Sequence, residues 1–182
     1  MAELSNLGGK LLTACGYFNP FLKRLLRKEA VSLNAAEKEA LFSMSRYDMS
    51  HSLRMARGAG DDEVLRRAAL LHDVGKSVEC LKPLYRTLYT YLELAAPALL
   101  RRMVNRVCSE ARGEDVEQRL WSLSRPWKKA FYAQAHHAEM GGWLLEKAGS
   151  PREVIELVAG HQADPPPGNQ RARKLRELDT GA

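Results

Sequence analysis

The chain has 182 residues, 45% of them hydrophobic and 27% charged. This suits one folded domain with a true core and excludes a disordered, collagen-like or disulfide-scaffold protein. Twenty-eight Lys and Arg against 22 Asp and Glu leave a net charge of +6, which favours anionic partners: phosphorylated metabolites, nucleic acid or acidic membrane. The basic residues are dispersed, in Lys23-Arg24, Arg27-Lys28, Arg101-Arg102, Lys128-Lys129 and Arg171 to Lys174, with no dense stripe of interleaved aromatics, so nucleic acid is disfavoured.

Cys15, Cys80 and Cys108 are odd in number, widely spaced and form no CxxC pair, which points to a reducing, cytoplasmic setting. Met1 to Leu12 lacks a basic start followed by an apolar block, so no secretory leader is expected. The most membrane-like stretch, Leu81 to Val104, is broken by Lys82, Arg86, Glu93, Arg101 and Arg102. It falls short of the ~20 apolar residues of a membrane span and reads as one or two buried amphipathic helices.

In chain order, residues 1–33 form an N-terminal helical extension. Its Leu11, Leu12, Phe18, Phe21, Leu22 and Leu25 would pack on the domain or form a homodimer contact. Asn34 followed by Glu37 resembles a capping box, and Ala40, Leu41, Met44 and Tyr47 continue at helical spacing. A second helix spans Met49 to Arg57 and stops at Gly58-Ala59-Gly60. Asp61 caps the next, whose buried side is Val64, Leu65, Ala68, Ala69, Leu70 and Leu71. Gly75 provides the turn after His72-Asp73. Ser77 is the available cap for the segment after that turn, and Pro83 fits a first helical turn. Arg112-Gly113-Glu114 is a loop. One long helix after Ser124 to Trp127 carries His136 and His137 and closes at Gly149. Ser150-Pro151, as N-cap and first residue, opens a helix reaching His161. Pro165 to Gly168 ends any helix, and Asn169 to about Asp179 forms the last one. No alternating strand pattern occurs, so the fold class is all-α.

The chemistry lies in five histidines, His51, His72, His136, His137 and His161, spread over several helices. Hydrolytic metal sites use neutral imidazoles and carboxylates and keep positions open for water. A helix bundle assembles such ligands from facing helices.

The stretch from Tyr47 to Lys76, with its early histidine and its LLHDVGK ending, resembles the opening half of an HD-domain metal-dependent phosphohydrolase, of the bacterial HDIG type. His137 to Gly141, Val154 to His161 and Leu175 to Asp179 are similar to the family's later motifs. The likeness runs from about residue 38 to 179 and makes 34–182 an HD domain with a helical insert at about 81–129. It implies a single-domain helical bundle that cleaves a phosphoester or phosphoanhydride bond, of a phosphorylated small molecule such as a nucleotide, by metal-activated water.

Residue by residue, the resemblance implies a core metal site of His51, His72, Asp73 and Asp179, completed by His137 and His161 around a second ion. Asp73 would also orient the water, and Lys76 and Arg54 would contact phosphate. His136 is set aside, because neighbouring helical residues point roughly 100° apart. Asp164 is the alternative to Asp179. One or two divalent ions are implied: iron, manganese, magnesium, zinc, cobalt or nickel. His161-Gln162-Ala163-Asp164-Pro165 replaces the signature of the members that cleave cyclic di-GMP, and Val74 to Ser77 lacks the acidic pair of the guanosine-tetraphosphate hydrolases. The layout is similar to small members, including those that split diadenosine polyphosphates. In the insert, Tyr85, Tyr89, Tyr91 and Trp121 read as core filling ahead of base stacking. The competing reading is a signalling or nucleotide-binding module that keeps the fold without turnover.

Overall fold

The computed structural model describes residues 18–77 and 83–181. Among these residues the chain is all-α, with eleven α-helices, one short 3-10 helix and no strand. In order they are α1 (Leu22–Glu29), α2 (Ala35–Ser43), α3 (Arg46–Gly58), α4 (Glu63–Leu71), the 3-10 turn Val74–Ser77, α5 (Pro83–Ala95) and α6 (Pro97–Glu110). The remaining helices are α7 (Val116–Ser122), α8 (Pro126–Ala135), α9 (His137–Lys147), α10 (Arg152–Gly160) and α11 (Gln170–Thr180).

Two apolar clusters divide the interior. Leu22, Leu26, Leu41, Met55, Leu70, Leu71, Leu145, Val158 and Leu175 gather α1 to α4 with α9 to α11. A smaller cluster of Val107, Leu120, Tyr132 and Met140 joins α6 to α9. Helix α9 belongs to both, through Leu145 and Met140.

Side-chain hydrogen bonds decide where several helices begin, and they correct the boundaries expected from sequence. Asn34 and Glu37 do form a reciprocal capping box on α2. The break expected between Tyr47 and Met49 falls earlier, because Ser45 is extended and its hydroxyl accepts from Asp48 N–H to start α3. Asp62, not Asp61, caps α4, accepting from Leu65 N–H at 3.0 Å. Ser150 does not cap α10: Pro151 holds the N-cap position, and the Ser150 hydroxyl donates instead to Glu37 Oε1 at 2.5 Å.

The long helix expected through His136 and His137 breaks at His136 (φ −112°, ψ 22°), which ends α8 and begins α9. The His137 ring takes the Gln134 carbonyl at 2.8 Å, a group that a continuous helix would have used internally. Pro83 opens α5, and Arg112 to Glu114 form a connection, as their composition predicts. Ser77 closes the 3-10 turn by donating to the Val74 carbonyl. The segment that Ser77 would cap falls on residues 78–82, outside the described residues.

In the N-terminal extension, Leu22 and Leu26 are buried and Leu25 packs against them, while Phe18 and Phe21 are exposed. Leu11 and Leu12 lie outside the described residues. The expected burial of the insert also needs correction. Tyr89 packs edge-on against Phe131, but Tyr91 and Trp121 are exposed, as are Leu84, Leu88, Leu94 and Leu99.

A buried charge pair ties three parts of the bundle together. Glu37 is fully buried and accepts from Arg67 Nε at 2.9 Å, Arg67 Nη2 at 2.6 Å and Ser150 Oγ. Asn34 Nδ2 donates to the Ala148 carbonyl, fixing α2 against the α9–α10 connection. Removing one member of such a pair strands its partner's charge. Glu37→Ala is therefore expected to lower unfolding free energy by about 3–5 kcal/mol in denaturant titrations, with Glu37→Gln milder. An unchanged midpoint for Glu37→Ala would contradict this role.

Candidate metal centre

Helix ends converge on one point. His72 is the C-cap of α4 and His161 the C-cap of α10. Each imidazole turns back onto its own helix: His72 Nδ1 donates to the Ala69 carbonyl at 2.9 Å and His161 Nδ1 to the Val158 carbonyl at 2.7 Å. His137, the first residue of α9, does the same with Gln134. A carbonyl only accepts, so these three rings carry their proton on Nδ1 and present the bare Nε2 lone pair outward. The electronegative C-terminal ends of α4 and α10 add a field that favours a cation.

The ligand-type atoms fall into two groups, each within 4.8 Å: His51, His72 and Asp179, and Asp73, His137 and His161. Ring centroids lie 5.1 Å apart for His51–His72, 5.4 Å for His72–His161 and 5.1 Å for His137–His161. Asp73 joins the two groups. One oxygen lies 3.4 Å from His72 Nε2 and the other 3.4 Å from His137 Nε2. The resemblance groups Asp73 with His51 and His72; here it stands with His137 and His161 and faces His72 across the gap. The second group is buried, whereas His51 and Asp179 reach solvent, so the centre opens on their side.

His51 differs from the other three rings. Arg54 Nη2 lies 3.0 Å from His51 Nδ1, and a guanidinium has only donors to offer. The His51 proton therefore sits on Nε2 and is donated to Asp179 Oδ1 at 2.8 Å. Lys76 Nζ pairs with Asp73 Oδ1 at 2.7 Å. Arg54 and Lys76, the two cations expected at phosphate, thus border the cluster. Asp164 does not approach it. It is exposed and pairs with Arg176, while Leu175 and Leu178 anchor α11 in the main core and hold Asp179 inward despite its place near the chain end. His136 points elsewhere, stacked on Tyr132 at 4.4 Å, with Cys108 Sγ 3.2 Å from its Nε2.

The electrostatics match lone-pair ligands. Burial first, and then the Lys76 charge, hold His137 down at about 3. Burial and the neighbouring His72 hold His161 down at about 4. Both rings are neutral at ordinary pH. Burial works to raise Asp73 and Asp179, but the surrounding imidazoles, and Lys76 for Asp73, outweigh it. Asp73 lies well below the usual carboxylate range and Asp179 at about 2. The same carboxylates raise His72 against its burial. Two ionised carboxylates beside the neutral His137 and His161 rings form a donor set suited to a divalent cation. His72 Nε2 supports the fit: it is buried without a hydrogen-bond partner, a cost that an ion would relieve.

Glycines make the convergence possible, for a reason that the sequence pattern does not reveal. Gly75 reads from sequence as a turn residue, yet it is not one of the left-handed glycines. A Cβ on Gly75 would lie 1.9 Å from the His137 carbonyl oxygen and 2.7 Å from Gly141 N. A Cβ on Gly141 would lie 3.0 Å from Val158 Cγ1 and 3.5 Å from Gly75 N. The His-Asp turn rests directly on the backbone of α9, which sets the approach of Asp73 to His137. The short glycine spacing, His72 to Gly75 and His137 to Gly141, was the available signal. Gly75→Ala must push the turn from α9, and we expect a loss of ~3 kcal/mol or more in thermal unfolding. A variant of wild-type stability would refute the close approach.

Compared with known proteins, the chain matches no family model, no curated protein and no solved structure.

Proposed function

We propose that this chain is a metal-dependent phosphohydrolase of the HD type, cleaving a phosphoester or phosphoanhydride bond in a phosphorylated small molecule such as a nucleotide. The observation that carries the proposal is Asp73, a carboxylate of one three-residue ligand group that faces His72 of the other, with a lysine beside it. His51, His72 and Asp179 would hold one divalent ion, and Asp73, His137 and His161 another. Iron, manganese, magnesium, zinc, cobalt and nickel all suit mixed imidazole and carboxylate ligation. Such an ion supplies a water that is acidic enough to yield hydroxide near neutral pH, and positive charge for the phosphoryl oxygens.

The chain's own residues do the rest. The backbone carbonyls behind His72, His137 and His161 fix the ring orientation, so little reorganisation precedes ligation. Asp73 would orient the attacking water through its carboxylate. Phosphoryl transfer asks mainly for positioning and for cations around the equatorial oxygens. Lys76 and Arg54 stand at the border of the centre to meet them. Arg54 holds His51 in the tautomer that engages Asp179, so ligation by His51 requires Arg54 to let go, which frees its guanidinium for substrate.

Metal analysis with a p-nitrophenyl phosphate assay tests the reading. Asp73→Ala and Asp73→Asn should both lose bound metal and turnover while far-ultraviolet circular dichroism stays helical. Arg54→Ala should keep its metal and lose about a hundredfold in turnover. Full activity in either Asp73 variant refutes the assignment. Metal retention without turnover in the unaltered protein would favour the non-catalytic module.

A further inference from the structure

Ten large apolar side chains are exposed among the described residues, and five of them, Leu84, Leu88, Tyr91, Leu94 and Leu99, fall within the hairpin of α5 and α6. They are between 41% and 77% exposed, so this is a patch and not the ordinary scatter of single surface hydrophobics. Their placement is regular. At roughly 100° per residue, Leu84, Leu88, Tyr91 and Ala95 lie within about 60° of one another on α5. The packed side of that helix is a different one, formed by Tyr85, Tyr89 and Leu92, with Tyr89 against Phe131. Leu94, Ala95, Ala98 and Leu99 carry the exposed apolar surface around the tip at Ala96-Pro97.

The exposed charges just beyond the tip of the hairpin, Arg101 and Arg102, are basic. The only carboxylate of α5, Glu93, sits half a helical turn from Leu84, on the side away from the stripe. The only one of α6, Glu110, lies at its far end, paired with Arg106 and Lys128. From Pro97 to Arg102 the helix rises about 7 Å. An interfacial helix buries its apolar face about 5–10 Å into the headgroup and acyl boundary, which would put this arginine pair level with lipid phosphates.

We propose that the α5–α6 hairpin docks on an anionic lipid surface, with Leu84, Leu88, Tyr91, Leu94 and Leu99 in the acyl boundary and Arg101 and Arg102 on the phosphates. Helix α5 lies along the surface without spanning it; no described helix is long and apolar enough to cross a membrane. A second copy pairing through the same stripe meets the arginines less well, because Glu93 projects from the opposite side of α5 and supplies them no carboxylate.

Flotation of the full chain with phosphatidylcholine vesicles, with and without phosphatidylglycerol, tests the proposal independently of any hydrolase activity. The protein should float with the anionic vesicles only and be released by salt. Arg101→Ala with Arg102→Ala should weaken binding roughly thirtyfold, about fivefold for each charge. Arg173→Ala with Lys174→Ala, the same loss of charge on α11, should leave it nearly unchanged. Leu84→Ser with Leu94→Ser should also release the protein, at unchanged melting temperature because both residues are exposed. No flotation, or equal weakening by the α11 pair, would overturn the proposal. So would a dimer in sedimentation that Leu84→Ser with Leu94→Ser converts to monomer, since a second copy would then cover the face.

Discussion

The contact on which the candidate site depends is between two stretches of backbone. The turn at Val74–Ser77 lies against the start of α9 so closely that a methyl group on Gly75 would overlap the His137 carbonyl. Folded interiors transmit such constraints because they are close-packed and yield little. This one approach sets the facing of Asp73 and His137, the break of the helix at His136, and the arrival of α10 with His161 over Gly141, whose own missing Cβ leaves room for Val158. The surrounding core supports the arrangement without entering it. Leu70, Leu71 and Val74 flank the His-Asp pair in full burial, so the polar residues stand on a rigid apolar base.

The candidate site carries a cost in stability. An imidazole nitrogen buried without a partner, as at His72, costs on the order of 1–3 kcal/mol. The Asp73 and Asp179 carboxylates add no such cost, because the surrounding imidazoles, and Lys76 beside Asp73, outweigh their burial. A ligand that binds only the folded state returns stability as it saturates, about 2.7 kcal/mol at a hundred times its dissociation constant. The buried Glu37–Arg67 pair, by contrast, is fully hydrogen-bonded with Asn34 and Ser150 nearby and needs nothing from outside the chain.

Much of the fold was legible in the sequence, because helical periodicity and the absence of alternating patterns are strong signals over long stretches. Boundaries were less legible, and each miss has a local cause. Ser45 and Asp62 outcompeted their neighbours as caps through hydrogen bonds that periodicity does not encode. Ser150 was drawn away by a carboxylate 113 positions earlier in the chain. The expected site residues His51, His72, Asp73, His137, His161 and Asp179 are brought together, and Asp164 is left outside. Two features were out of reach. The opposite tautomer of His51 depends on the placement of a guanidinium in space. The apolar face of the insert reads as buried from sequence, because hydrophobicity alone does not say which side of a helix finds a partner.

Six side chains from distant parts of the chain form two adjoining sets of cation ligands. Anomalous scattering from a crystal soaked in manganese measures this most directly. Peaks are expected within bonding reach of His72 Nε2 and of the Asp73 carboxylate, with His51 turned to offer Nε2 and Arg54 withdrawn from its Nδ1. A map with no anomalous density at the cluster, and with Lys76 and Arg54 still paired to Asp73 and His51, would contradict it.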